Sequence, residues 1–234
     1  MKRAVSISGC LLVFLVILLP FGVMISSCFG YKFELYSYSA FAIVTALLSV
    51  CTVILSIAAK GTAENGVVKV LFSLLAPLSF INAVFYMLES CGIWVVASVF
   101  ICAGCCCYLT IRHGKPPALK ITALVLSALM VLPVCFLGFM ALAFGNIGQK
   151  TVIQSVESPD GAYYAEVIAG DQGALGGDTL VDVYENTEID ALVFRLSKKP
   201  ERIYHGDWGE FENMEISWKN DNCLVINSVE YEIE

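Results

Sequence analysis

Hydrophobic and polar positions follow two different rules along this chain, and the change falls near residue 145. Before it come five apolar runs: Ala4 to about Ile25, Tyr38 to Ala59, Val70 to Leu88, Ile93 to Ile111 and Ile121 to Phe144. A hydrocarbon core about 30 Å thick needs roughly 18 or more apolar residues at a rise of about 1.5 Å each. Each run meets that length, so the pattern predicts five membrane-crossing helices. Pro20, Pro77 and Pro133 lie within three of them and mark expected kinks. Helices in lipid tolerate proline where neighbouring groups satisfy the freed carbonyls.

From Lys150 onward the apolar runs shorten and turn residues separate them. Thr151 to Val156, Ala162 to Ala169, Thr179 to Tyr184, Ala191 to Leu196, Arg202 to His205, Glu215 to Trp218 and Leu224 to Ile233 read as strands. The clearest alternation is Val229-Glu230-Tyr231-Glu232-Ile233-Glu234, with one apolar and one acidic face at period two. The predicted fold is therefore a membrane helical bundle over residues 1–145, followed by a small all-β domain over 146–234. A domain of that size can bury a modest core of its own.

Composition sharpens this picture. The chain is 58 % hydrophobic and 15 % charged, with a mean hydropathy of +0.76, so the lipid bilayer is its first partner. Up to Phe144 there are 8 Lys/Arg against 3 Asp/Glu, and from Gly145 onward 6 against 18. A tail so acidic repels nucleic acid and anionic lipid headgroups alike, which excludes a nucleic-acid partner. In the short connections, Lys2, Arg3, Lys60, Lys69, Arg112, Lys115 and Lys120 fall on one side and only Lys32 on the other. Cytoplasmic loops carry the excess of Lys and Arg. The expectation is a plasma-membrane protein with a cytoplasmic N-terminus and an extracellular β domain.

The segment Ser158-Pro159-Asp160-Gly161-Ala162-Tyr163-Tyr164-Ala165-Glu166-Val167, followed later by Ile216-Ser217-Trp218-Lys219-Asn220-Asp221-Asn222-Cys223-Leu224, resembles a recurring bacterial pattern. In that pattern an S-P-D-G turn opens a hairpin, and a tryptophan strand turns through polar residues into the next strand. The same turn punctuates the blades of periplasmic β-propellers similar to the Tol-system protein, but one copy in so short a tail excludes a propeller. Taken over its whole length, the chain resembles a family of uncharacterised multi-pass membrane proteins from Gram-positive bacteria. The resemblance implies an architecture and a host, and no activity.

Several residues invite chemistry. Ile25-Ser26-Ser27-Cys28 follows a basic start and an apolar run, so Cys28 is a candidate for lipidation after signal cleavage; the run is about twice the usual length of a signal core, and the competing reading is the end of the first helix. Cys28 and Cys91 both fall near the expected outer surface, where a disulfide is chemically allowed. Cys102, Cys105, Cys106 and Cys107 include a C-x-x-C spacing, but in an apolar helix beside Ala103 and Gly104 they read as packing residues. Cys107 is also open to palmitoylation. Asn82 is the main strongly polar group expected at mid-membrane, as an interhelical hydrogen bond or a substrate ligand.

In the tail, Asp171 and Asp178 bracket a Gly-rich loop whose oxygens suit Ca²⁺, although it lacks the alternating ligands of a calcium loop. His205, Asp207 and Trp208 form the remaining cluster of interest. No nucleophile elbow accompanies His205, and no cofactor motif is present. The sequence thus argues against an enzyme and favours an outward β domain that binds or senses an envelope component or another membrane protein. A membrane enzyme or transport-related component with a site between tail and bundle, and an accessory subunit of a larger complex, are the alternatives.

Overall fold

The computed structural model describes residues 1–59, 65–89, 92–144, 150–171 and 176–233. Helices α1 (Lys2–Cys28), α2 (Tyr38–Ala58), α3 (Gly66–Glu89), α4 (Ile93–His113) and α5 (Pro117–Phe144) come first, with one strand, β1 (Tyr31–Leu35), between α1 and α2. All five helices are long and apolar enough to span a bilayer. The chain divides into two compact units. One joins Met1–Ile25 to Leu35–Gly145, and the other joins Ser26–Glu34 to Asn146–Glu234.

Local chemistry sets the helix starts. Ser37 accepts from the Ala40 N–H to cap α2, the Asn65 side chain accepts from the Val67 N–H ahead of α3, and Pro117 opens α5, where its missing N–H costs no helical bond. Within the bundle the polarity of a soluble protein is reversed. Phe14, Leu47, Ile54, Leu129 and Leu132 are exposed, whereas Ser49, Thr52, Ser56, Ser79, Asn82 and Thr110 are buried. Lipid supplies no hydrophobic drive between helices, so small polar residues gather where backbones approach and large apolar ones face outward.

The buried face of α2 shows this as Ala42, Thr45, Ala46, Ser49, Thr52 and Ser56. Three of the hydroxyls turn back onto the helix: Thr45 donates to Phe41 O at 2.8 Å, Ser49 to Ala46 O at 2.7 Å and Thr52 to Leu48 O at 2.8 Å. Leu12, Val16, Phe72, Leu75, Cys102, Cys106 and Leu109 form the apolar centre that ties α1, α3 and α4 together. One turn ahead of Pro77, the Thr110 hydroxyl enters the α3 ladder, donating to Phe72 O at 2.8 Å and accepting from Ala76 N at 3.2 Å. Such an insertion is a known cause of bending, and it coincides here with the proline.

The second unit holds β2 (Lys150–Glu157), β3 (Tyr163–Asp171), β4 (Gly177–Glu185), β5 (Glu188–Asp190), β6 (Phe194–Lys198), β7 (Glu201–Asp207), β8 (Ile216–Asn220), β9 (Cys223–Ile226) and β10 (Val229–Glu232). These and β1 make three sheets, ordered β2-β3-β4-β7, β8-β9-β10 and β1-β6-β5. One face of the four-stranded sheet, with Ala165, Val167, Val181 and Val183, packs on Ile216, Leu224 and Ile226 of the β8-β9-β10 sheet and on Met214 and Ile233. The opposite face carries Tyr164, Glu166, Asp182 and Tyr184, as the two-residue period requires.

The S-P-D-G turn closes the β2-β3 hairpin as expected from turn chemistry. The Ser158 hydroxyl donates to Asp160 Oδ1 at 2.7 Å and accepts from Tyr163 N at 3.0 Å, while Asp160 Oδ1 accepts from Ala162 N at 3.0 Å. Gly161 takes the left-handed φ of +71° that the turn needs.

The strands differ from the sequence pattern at several places, among them the short β5, which the pattern did not mark. The run expected from Leu224 to Ile233 breaks into β9 and β10 at Asn227 and Ser228, whose φ values of 49° and 68° make a tight two-residue turn. Asn tolerates that conformation; Ser seldom adopts it, which hid the turn. The strand expected at Ala191 to Leu196 begins only at Phe194, because Ala191 instead closes the β5-β6 hairpin by donating to Phe194 O at 2.9 Å. Finally, β1 lies in a connection short enough to pass for a loop.

Candidate functional site

Over the polar face of the four-stranded sheet, the β1-β6-β5 sheet leaves a cavity of about 210 Å³. Lys32 and Glu34 of β1, Glu188 of β5 and Arg195 and Ser197 of β6 form one wall; Tyr164, Glu166 and Tyr184 form the other. Alternation brings these residues together, since 32 and 34, 164 and 166, and 195 and 197 each share a strand face. Phe33, on the other face of β1, is buried and stacks on Phe194 with ring centres 4.7 Å apart. The Lys199 N–H donates to Gly30 O at 2.9 Å, and Lys199 Nζ donates to Ser27 Oγ at 2.7 Å. These contacts hold the segment ahead of α2 against the tail strands.

The charges of the cavity are unevenly paired. Glu34 meets Lys32 Nζ at 2.6 Å and Arg195 at 3.0 Å, and Arg195 reaches Glu188 at 3.6 Å. Burial pushes the Glu34 carboxyl up, but Lys32 and Arg195 outweigh it and hold the group below the usual carboxylate range. Next to the cavity, buried Asp182 takes a two-pronged bond from Arg202, at 2.8 and 3.0 Å. Glu166 stands directly across the strand pair from Asp182 and, among the described residues, has no cation within ion-pair distance. Burial pushes its carboxyl up and Asp182 adds to the rise, with the Tyr184 hydroxyl and Lys32 only partly offsetting. Burial likewise raises the Tyr184 hydroxyl, and Glu166 raises it further. The Tyr164 and Tyr184 rings stack with centres 4.8 Å apart and planes 3° from parallel.

The residues singled out in the sequence fall elsewhere. His205, Asp207 and Trp208 gather with Asp178 at one end of the β3-β4-β7 pairing, where Asp178 lies opposite Asp207 and 3.5 Å from His205 Nε2. Trp208 meets Phe211 edge-on at 5.3 Å. His205 is too exposed for that contact to be strong. Asp171 pairs with Gly177 across the loop. Residues 172–175 of the Gly-rich segment, and Cys91 of the possible disulfide, lie outside the described residues. No group of three or more His, Cys, Asp or Glu suited to a metal occurs among the described residues.

Cys28 ends α1 as an exposed free thiol. Cys102 and Cys106 are buried one helical turn apart, with sulfurs at 3.9 Å inside the apolar centre, so the pair in contact is i and i+4 rather than the C-x-x-C pair. Asn82 of α3 and Tyr86, one turn on, face a void of about 10 Å³ lined also by Thr45, Ser79, Ser98 and Cys102. Asn82 Oδ1 and the Tyr86 hydroxyl are buried there without a hydrogen-bond partner.

Sequence reasoning missed the charged cavity because Lys32 and Glu34 come from a nine-residue connection and the other six lining residues from separate segments of the tail. Lys32 and Glu34, two residues apart with Phe33 between them, were the available signal. No family model, curated protein or solved structure matches the chain.

Proposed function

We propose that this chain is a multi-pass membrane protein that binds or senses a small polar component of the cell envelope, with its N-terminus inside the cell and its β-rich unit outside. The observation that carries the reading is the composition of the cavity wall: Lys32 and Glu34 come from the α1–α2 connection, Arg195, Tyr164 and Glu166 from the tail. A sheet shared between those two segments, β1-β6-β5, requires both to emerge on one side of the membrane. Four crossings, α2 to α5, separate them, in agreement with the charge bias of the connections. Occupancy of the cavity would bear on Lys32 and Glu34, only a few residues ahead of the first turn of α2, which is a direct covalent route from ligand to bundle.

The test is labelling of a C-terminal tag, and of a single cysteine introduced at Lys32, with a membrane-impermeant reagent in intact cells and in permeabilised ones. Both sites should label without permeabilisation. If only one of them does, the shared sheet is overturned; if neither does, the β unit is cytoplasmic and the search for a ligand moves indoors.

A further inference from the structure

Building on the cavity just proposed as a binding site, we infer that it takes a small polar molecule through a protonated amine, and that Glu166 is the anion that receives it.

Glu166 and Asp182 face each other across the β3-β4 ladder, and like charges placed directly opposite are destabilising. Arg202 resolves only half of the conflict, because both of its contacts go to Asp182. The two cations within the cavity are committed as well: Lys32 to Glu34, and Arg195 to Glu34 and Glu188. Three carboxylates against two cations leave one negative charge, and geometry assigns it to Glu166. A sheet that needed only stability would place Gln or Thr there. Departures from local consistency of this kind concentrate at functional sites.

The surroundings suit a cation with hydroxyl-bearing neighbours. The stacked Tyr164 and Tyr184 rings lie beside Glu166, and aromatic faces attract ammonium groups. Ser197 and the two phenols add neutral hydrogen-bonding groups. A cavity of about 210 Å³, far above the roughly 10–15 Å³ that admits one water, has the room of a single sugar ring or an amino acid. An anionic ligand would have to take Lys32 or Arg195 from a carboxylate already in place.

The test is titration calorimetry at low salt on the full chain in lipid nanodiscs. Three probes share one ring: glucosamine, N-acetylglucosamine, in which the amine is capped, and glucose 6-phosphate. Glucosamine should bind, with the acetylated ring and the phosphate at least tenfold weaker, and Glu166→Gln should weaken glucosamine by about tenfold or more, as expected for loss of a charge-assisted contact. Glu166→Gln keeps the shape of the side chain, so its fold is checked by a cooperative melting transition no lower than that of the unaltered chain. Lys219→Gln on β8, far from the cavity in the sheet order, should leave binding unchanged. Equal binding of the capped and free amines, or preference for the phosphate, overturns the amine inference while keeping the cavity as a binding site. Absence of binding by all three, with no effect of Glu166→Gln, overturns both.

Discussion

Arg195 holds Glu34 from 161 residues away in the sequence: its Nε donates to Glu34 Oε2 at 3.0 Å, and Nη2 lies 3.0 Å from the same oxygen. The contact ties the α1–α2 connection to a tail hairpin within one wall of the charged cavity.

Because both partners are partly exposed, Arg195→Ala or Glu34→Ala should cost about 0.5–1 kcal/mol. The double variant should cost less than the sum of the two. Glu34 carries a lowered pKa, so its stabilisation is complete above the ordinary value of 4.5 and is lost as pH falls through the depressed value. Thermal melts of the full chain across the acid range should show this loss, and Arg195→Ala should reduce it.

Glu166 has the opposite sign. Its pKa is raised, so the folded state binds the proton more tightly than the unfolded chain does, and the charged form costs stability above the raised value. Lys32 of β1 and Tyr184 of β4 favour the charged form; burial and Asp182 oppose it. Glu166→Gln should therefore raise the melting temperature at neutral pH. The advantage should disappear as pH falls below the raised value, a crossing that paired melts of the two proteins would locate.

Removing the Ser158 hydroxyl takes the acceptor from Tyr163 N–H and the donor from Asp160. Ser158→Ala should cost about 1–3 kcal/mol, and Ser158→Thr should recover much of it. Gly161→Ala places a side chain at a φ of +71°, at a cost of about 1–2 kcal/mol. Denaturant titration followed by tryptophan fluorescence would report both.

Between α2, α3 and α4, the unpartnered Asn82 Oδ1 and Tyr86 hydroxyl border a polar void of about 10 Å³, the room of one water. A single water bridging them should appear in a high-resolution experimental structure. Asn82→Leu and Tyr86→Phe should each cost about 1 kcal/mol, with the pair non-additive because each deletion strands the same water. Reversible unfolding in detergent mixtures measures the cycle.

Much of the fold was legible because lipid imposes a length rule that few soluble elements satisfy. The five apolar runs gave helices within a few residues, and errors gathered at ends such as Lys2, Gly66 and Pro117, where capping rather than hydropathy decides. The β2, β3, β4 and β7 strands followed from short β-type runs bounded by turn residues. The β9-β10 turn was hidden by a Ser at a left-handed position, and β1 by its setting between two membrane helices. The site was far less legible. Its charges sit two residues apart on strands from distant parts of the chain, and no local spacing links Lys32 to Glu166. His205, Asp207 and Trp208 drew notice through residue type, and they do come together, but on an exposed edge.

The position of β1 also sets an order of assembly. This strand leaves the ribosome well before its sheet partner β6, which follows only after four more membrane helices have been made. Until then Phe33 has no Phe194 to stack on, and the early connection must wait beside an unfinished bundle, a delay typical of pairings with large sequence separation. A reagent made from residues 146–234 alone would start without the β1 part of one cavity wall, Lys32 and Glu34. A faithful soluble version would need residues 26–34 grafted onto it.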